Sequence, residues 1–199
     1  MYNPNKYCVS LGEMKERIEN GLDKLRKVIQ YSLTDTRYVN GKIIAQEIDL
    51  SYIDDFGVTA DFISKFLDGE AGDPNLETTM KFISASDIGA TALGFIDTDD
   101  EITDSHGKRL SGLDAVSYCF NHLEADTDEI LSALAERFQV SAKKIKDTIL
   151  GNIKDCMTIE AFIKLPVSDV LFFTLCLGIP IQSLFDYNFY STCDMYFEG

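Results

Sequence analysis

The sequence contains few of the residues on which catalytic and metal-binding motifs depend. Among its 199 residues are two histidines, no tryptophan and five cysteines. An odd number of cysteines without a C-x-x-C pair argues against a disulfide scaffold or a zinc ribbon, and we expect reduced thiols. The sequence shows no dinucleotide-binding fingerprint, phosphate-binding glycine loop or catalytic triad spacing. We therefore expect a protein that is not an enzyme and that uses no cofactor or metal ion.

Two short clusters remain as candidates for chemistry, and in both we favour the simpler interpretation. Cys119 and His122 share one face of a predicted helix, but a nucleophile pair also needs a third, orienting group. A buried thiol beside a surface imidazole is the more common arrangement. An acidic run could bind Mg²⁺ or Ca²⁺, yet it lacks the glycine and glutamate of an EF-hand loop, and we expect a solvated loop. Its members are Asp97, Asp99, Asp100, Glu101 and Asp104.

Long hydrophobic runs are also missing. The first twelve residues contain no apolar segment of the kind that marks a secretory signal. The longest apolar stretch, Val170 to Ile181, is interrupted by Thr174, Gly178 and Pro180, and it is shorter than the roughly 20 residues of a membrane span. The sequence therefore predicts a cytoplasmic protein with no membrane partner.

Basic residues are scarce. There are 18 of them against 33 acidic residues, and the net charge is −15. The charge is uneven: residues 1–40 carry +2 (7 basic, 5 acidic), residues 41–133 carry −15 (5 and 20), and residues 134–199 carry −2 (6 and 8). The central block would repel a phosphate backbone, so any DNA contact must come from the ends of the chain. The alternative is that the acidity serves solubility alone.

A long amphipathic helix is predicted near the N-terminus. Ser10-x-x-Glu13 has the form of a capping box, in which each side chain accepts a hydrogen bond from the other residue's backbone N–H. Apolar residues then recur at spacings of three and four, which places them on one helix face. They are Leu11, Met14, Ile18, Leu22, Leu25, Ile29 and Leu33. Such a helix more often closes a core or a dimer than binds a ligand.

A possible short β-hairpin follows this helix. Asn40-Gly41 lies between the apolar pairs Tyr38-Val39 and Ile43-Ile44. Asn-Gly between apolar β-formers favours a type I′ hairpin turn. A turn between two helices is the alternative.

One pattern of residues occurs twice along the chain, 82 positions apart. Each copy has an N-cap residue, two apolar positions and a closing glycine, followed by a helix that opens near a proline. The copies align Val58 with Val140, Ile63 with Ile145 and Gly69 with Gly151. Such internal repetition predicts two copies of one helical unit.

These two segments resemble the lambda-repressor/Cro helix-turn-helix family, the XRE-like regulators. The likeness rests on GVTADFISKFLDG and PNLETTMKFISASDIGATAL in the first copy, and on LAERFQVSAKKIKDTILG and LGIPIQSLF in the second. It covers about half of the chain. The resemblance implies short helices around a small core, a sharp turn between two helices in each copy, and a second helix whose first residues enter the DNA major groove.

Both copies depart from the family pattern. The second has Gln139 where the turn favours glycine, so this turn is either strained or different in geometry. The first has Ile53 where a small residue is typical. A different alignment of the first copy uses Ala45 and Ile48, but it leaves surplus residues before the next helix. We prefer the alignment with Gly57 at the turn.

The resemblance places a basic set of residues at the DNA-facing position of the second copy: Ser141, Lys143, Lys144 and Lys146. Lysines there could bind phosphates or meet guanine acceptors. Two alternatives stay open, namely an ordinary solvated face and a face that docks on acidic residues of this chain or of another subunit.

At the same position the first copy is acidic. Asp61 lies there with Asp54 and Asp55 nearby, and this charge opposes contact with phosphates. We interpret Asp54, Asp55, Asp61 and Phe62 as a protein-contact face. The alternative for Phe62 is a place in the core.

Together these observations predict a mostly α protein with two helix-turn-helix-like modules joined by an acidic connector. The predicted domains are residues 1–97 (the N-terminal helix and first module), 98–124 (the connector and a helix) and 125–199 (the second module). We expect a transcriptional regulator whose second module contacts duplex DNA, and whose N-terminal helix and first module form a homodimer or bind a partner. The alternative is an acidic interaction module that inhibits a basic nucleic-acid-binding protein, like some phage and mobile-element inhibitors, including anti-CRISPR proteins.

Overall fold

The protein is mostly helical, as its sequence predicts, and 59% of it is helix in a computed structural model. The structure describes residues 2–51, 53–86, 90–96, 98–151 and 159–184. The elements in this part of the chain are α1 (Leu11–Ser32), β1 (Thr34–Val39), β2 (Lys42–Ile48), α2 (Ala60–Leu67), α3 (Leu76–Ser86), α4 (Gly112–Asn121), α5 (Thr127–Phe138), α6 (Ala142–Ile149), α7 (Ile159–Ile163), α8 (Val167–Leu177) and α9 (Ile181–Leu184). Single 3₁₀ turns occupy Pro4–Lys6, Ile53–Phe56 and Ala90–Leu93. No helix among the described residues has the length and apolar character to span a membrane.

Helix α1 confirms the predicted N-terminal helix, but its cap differs from the expected one. Ser10 donates its hydroxyl hydrogen to the Glu13 carboxylate, at 2.7 Å, and makes no side-chain bond to the free N–H groups of the helix. The capping-box prediction is therefore wrong, because the two side chains satisfy each other. Apolar residues of the predicted stripe are buried against the rest of the chain, among them Met14, Leu25 and Ile29. The helix closes the core of its own chain.

The predicted β-hairpin is confirmed. Strands β1 and β2 pair antiparallel, from Val39 opposite Lys42 to Thr34 opposite Ile48. The backbone φ of Asn40 is 51° and that of Gly41 is 75°, as a type I′ turn requires. Because residues 42–48 form a strand, the alternative alignment of the first copy, which uses Ala45 and Ile48 as helical positions, is wrong.

The first copy keeps the turn but not the helix that the family resemblance implies before it. Ile53–Phe56 forms one 3₁₀ turn instead of an α-helix. Gly57 follows with a φ of 69°. The Thr59 hydroxyl then caps α2 by accepting a hydrogen bond from the backbone N–H of Phe62, at 3.2 Å.

The second copy has a helix on each side of its turn. Helix α5 ends at Phe138, and the next residue, Gln139, caps it in a left-handed conformation with φ 53° and ψ 40°. The Ser141 hydroxyl then caps α6 by accepting from the backbone N–H of Lys144, at 3.2 Å. The turn geometry is thus the one expected for glycine. Because a residue with a Cβ is destabilised by roughly 1–2 kcal/mol in the left-handed region, Gln139 is strained here.

Replacing Gln139 with glycine is expected to stabilise the protein by about 0.5–1 kcal/mol, because relief of the left-handed strain exceeds the extra backbone entropy of glycine in the unfolded chain. Urea denaturation measures the change. The matched control is Asn40→Gly, where φ is also positive but asparagine tolerates it better, so the gain is smaller. Destabilisation by Gln139→Gly would contradict the strain argument.

The two halves of the chain make parallel sets of helix contacts and share one core. Helix α1 packs on α2, α3 and the 90–93 turn, and α4 packs on α6, α8 and α9. Helix α1 also reaches α8. The halves meet where α3 and α8 begin: the N–H of Leu76 donates to the Leu165 carbonyl, and the N–H of Val167 donates to the Pro74 carbonyl, both at 2.9 Å.

The stretch predicted as an acidic connector contains α4, which contributes to this shared core. Val116, Cys119 and Phe120 are buried in the same hydrophobic cluster as α1 and α8. The preceding segment folds into a tight turn in which Thr103 and Arg109 pair as an isolated β-bridge.

Candidate nucleic-acid interface

The structure brings the predicted basic residues together on one exposed surface of α6. Lys143, Lys144 and Lys146 are exposed, and no ion pair is recorded for any of them within the described part of the chain. Ser141 is fixed as the cap of the same helix. We call Ser141, Lys143, Lys144 and Lys146 the α6 basic face. It holds three cations within about one helical turn, at 3.6 residues per turn.

Apolar residues on the opposite side hold α6 in place. Ile149 is fully buried and Ile145 packs against the core. Below the helix is a cavity of about 280 Å³, lined mostly by apolar side chains that include Phe138, Phe162 and Phe173. Phe162 and Phe173 meet edge to face, with ring centroids 5.3 Å apart. The helix is therefore anchored from beneath, and its three lysines stay exposed, although Lys144 also lines the cavity.

Arg137, at the end of α5, does not join the α6 basic face. Its Nε lies 2.6 Å from the Asp169 carboxylate and its NH2 lies 2.7 Å from the Ser168 hydroxyl. Its guanidinium also stacks over the Phe172 ring at 5.4 Å. These contacts join α5 to α8, so the Arg137 guanidinium is already paired within the protein.

The acidic residues of the first copy lie around the start of α2. Asp54, Asp55 and Asp61 are exposed, and the Asp61 carboxylate pairs with the Lys65 ammonium at 2.7 Å. Phe62 is half-buried, packs against the core and stacks on Phe66 with ring centroids 6.4 Å apart. The predicted contact face is therefore three exposed carboxylates beside a partly covered aromatic ring.

The Cys119 and His122 side chains do not form a reactive pair. Cys119 is fully buried, and this burial raises the pKa of its thiol to about 12. Its thiolate, the nucleophilic form, is therefore scarce at neutral pH. His122 is exposed, and its Nδ1 lies 2.7 Å from the Tyr118 carbonyl oxygen. The favoured interpretation, a buried thiol beside a surface imidazole, is confirmed.

Carboxylates of the acidic run form hydrogen bonds within their own loop and with the N-terminal segment. The Asp104 carboxylate accepts hydrogen bonds from the backbone N–H groups of His106 and Lys108, at 2.8 and 2.9 Å. Asp100 accepts from the Tyr7 hydroxyl at 3.1 Å. Asp97 lies outside the described residues. Among the residues that are described, no three His, Cys, Asp or Glu side chains form a group that could hold a metal ion.

Comparisons with protein-family models, with curated proteins and with solved structures found no match. The geometry and charge of the chain itself are what bear on its function.

Proposed function

We propose that the protein binds duplex DNA, with α6 placed in the major groove and α5 crossing the backbone, as a helix-turn-helix regulator does. The observation that carries this proposal is the α6 basic face, on a short helix that begins directly after a tight left-handed turn. Its three lysines are exposed and form no ion pair with the part of the chain that the structure describes. Lysines at such a position can bind phosphates as point charges and reach guanine acceptors.

Parallel packing in the two halves supports the module interpretation. In the proposal, α1, α2, α3 and the 90–93 turn form the first module, and α4, α5, α6, α8 and α9 form the second. Each opens with a helix that packs on the capped helix after the turn and on two later elements, which are α3 and the 90–93 turn in the first module and α8 and α9 in the second. Helix α4 then belongs to the DNA-binding module rather than to a connector.

Charge argues for a weak and strongly salt-dependent complex. The α6 basic face belongs to a chain with a net charge of −15, and most of the acidic excess lies in residues 41–133. Phosphates near α6 would be attracted, while those nearer the central block would be repelled within a Debye length of about 8 Å at physiological salt. The acidic block includes the first turn of α5, with Asp128 and Glu129, and it would therefore weaken the complex.

The test is an anisotropy titration of labelled duplex DNA from about 50 to 200 mM salt. The wild-type affinity is expected to fall steeply with salt. The double variant Lys143→Gln/Lys144→Gln removes two phosphate-directed charges, so the magnitude of the log–log salt slope should drop by about 2. Affinity should weaken about equally for all DNA sequences, because phosphates carry no sequence.

The matched control is Lys24→Gln/Lys27→Gln, which removes the same charge from exposed positions on α1. Its salt slope should equal that of the wild type. Failure of the wild-type protein to bind DNA at about 50 mM salt would overturn the proposal. An equal loss of slope in both double variants would also overturn it, because binding would then depend on total charge and not on α6.

A second candidate function is supported by the carboxylates of the first copy. Asp54 and Asp55 are exposed and make no recorded ion pair within the described residues, so they are available to a cationic partner. In this second proposal the acidic face occupies the nucleic-acid-binding surface of a basic protein, as an inhibitor from a phage or mobile element would. This function predicts no DNA binding in the titration, and capture of a basic partner that is lost when Asp54, Asp55 and Asp61 are reversed to lysine.

A further inference from the structure

The hairpin of β1 and β2 is the most exposed apolar element of the described chain. Six of the seven large hydrophobic residues that are exposed there lie between positions 31 and 48. Tyr38 is 63% exposed and Ile44 is 62% exposed. No residue of either strand is buried, so the hairpin projects from the core instead of covering it.

Each strand of this hairpin has a neighbour on one side only, because the sheet has two strands in the described part of the chain. An isolated two-stranded hairpin is marginally stable in water. A free strand edge also presents unpaired backbone N–H and carbonyl groups to any further strand. The hairpin thus has two features that are typical of an interface, namely a strand edge with unpaired backbone hydrogen-bonding groups and an exposed apolar surface.

The charge of the hairpin favours a second copy of this chain over a cationic partner. Its strands carry two acidic residues, Asp35 and Glu47, and two basic residues, Arg37 and Lys42. The hairpin is therefore neutral within a chain of net charge −15. A strongly basic protein would be drawn to other surfaces, whereas two acidic chains can approach each other here with the least repulsion.

The free edge of β1 is more regular than that of β2. A bulge interrupts the pairing between Arg37 and Tyr38, and the partner strand β2 contributes the extra residue, Ile44, at this point. Bulges and edge lysines such as Lys42 discourage further pairing. Strand β1 has neither feature.

We infer that two copies of the chain associate through β1, antiparallel, about a two-fold axis at Thr36, to give a continuous four-stranded sheet. Directly opposite residues of such a pair must point to the same face, so the possible registers differ in steps of two residues. In the register centred on Thr36, Asp35 lies opposite Arg37 of the second copy, and Arg37 lies opposite Asp35. The neighbouring registers place Asp35 opposite Asp35 or Arg37 opposite Arg37.

The same register extends the apolar face of the hairpin. Thr34, Thr36 and Tyr38 alternate onto one face of β1 and lie opposite Ile48, Gln46 and Ile43 of β2. Across the two-fold axis, Thr34 would meet Tyr38 of the second copy, so the two apolar faces would become one. The intrachain pair between Arg37 Nε and Asp35, at 3.5 Å, is largely exposed and can exchange for the interchain pairs at little cost.

Sedimentation velocity over a concentration series tests this inference with matched charge variants. The wild-type protein should dimerise. Arg37→Asp and Asp35→Arg each replace two attractive pairs with two repulsive ones, and each should raise the dimer dissociation constant about tenfold or more. The double variant Asp35→Arg/Arg37→Asp restores opposite charges in this register and should dimerise like the wild type. Far-UV circular dichroism checks that all variants fold.

A mixing experiment separates this interface from any other. The Arg37→Asp chain carries two aspartates on β1 and the Asp35→Arg chain carries two arginines, so an equimolar mixture should form a heterodimer although each chain alone is mostly monomeric. A monomeric wild-type protein at all concentrations would overturn the inference. So would a dimer whose dissociation constant is the same in all four proteins. The outcome is independent of DNA binding, because these variants leave α6 unchanged.

Discussion

The Gly21→Ala variant is expected to lose roughly 2–3 kcal/mol of folding free energy, although alanine is the better helix former. Gly21 lies in the middle of α1, on the side that packs on the 90–93 turn. A Cβ built at this position would clash with the backbone carbonyl oxygen of Leu93 and would lie 3.3 Å from a methyl group of Leu171. A backbone atom cannot rotate away as a side chain can, so the helix or the turn would have to move.

The matched control lies in the same helix. A Cβ built at Gly12 meets no atom within 4 Å, so Gly12→Ala should stabilise the protein by up to about 1 kcal/mol, through helix propensity alone. Urea denaturation of both variants measures whether each substitution raises or lowers the free energy of unfolding. Equal effects from the two substitutions would show that the approach of α1 to Leu93 does not require glycine.

Alkaline solution is expected to destabilise the protein steeply, through two buried thiols. Cys119 and Cys176 are 0% and 1% exposed. Burial raises the pKa of each thiol from 9.0 to about 12, and the nearby Cys8 thiol adds to the effect at Cys176. Between these values the unfolded chain loses protons that the folded chain keeps, so the free energy of unfolding falls as the pH rises.

The expected slope is about 1.4 kcal/mol per pH unit for each thiol above pH 9, and the two together reach about 4 kcal/mol by pH 10.5. Below pH 9 the thiols are protonated in both states and their contribution is constant. Urea denaturation between pH 7 and pH 10.5 measures the slope.

Cys119→Ala is the control for this prediction, because it removes one titrating group. The variant is less stable at every pH, since it leaves a cavity, but its loss of stability above pH 9 should be less steep by about 1.4 kcal/mol per pH unit. An unchanged slope in Cys119→Ala would mean that other groups cause the alkaline transition.

The features that the sequence predicts correctly are local ones. The i, i+3 and i+4 spacing of apolar residues defines α1, the Asn40-Gly41 pair defines the hairpin, and Thr59 and Ser141 each cap the helix that follows them. Each of these signals acts within about one turn of chain. The exposure of the α6 lysines is of the same kind, because Ile145 and Ile149 fix which side of the helix faces the core.

The features that the sequence does not predict depend on residues far apart in the chain. Arg137 lies just before the α6 basic face in the sequence, but its partner is Asp169, 32 residues later. The exposed hairpin is a second case, because the apolar residues of β1 and β2 are typical of strands that pack on a core. Whether a core lies against a strand is decided by the rest of the fold. The one-turn 3₁₀ segment before Gly57 also has no local signal that separates it from a short α-helix.

The reciprocal bonds between the starts of α3 and α8 have a consequence for how the chain can be divided. Leu76 and Val167 each satisfy a backbone group of the other segment, and α1 rests on both helices. A fragment that stops before Leu165 would leave the backbone N–H of Leu76 and the carbonyl of Pro74 without their hydrogen-bond partners. The two halves therefore depend on each other for stability, although the repeat is visible in the sequence. On heating they should unfold in one cooperative transition.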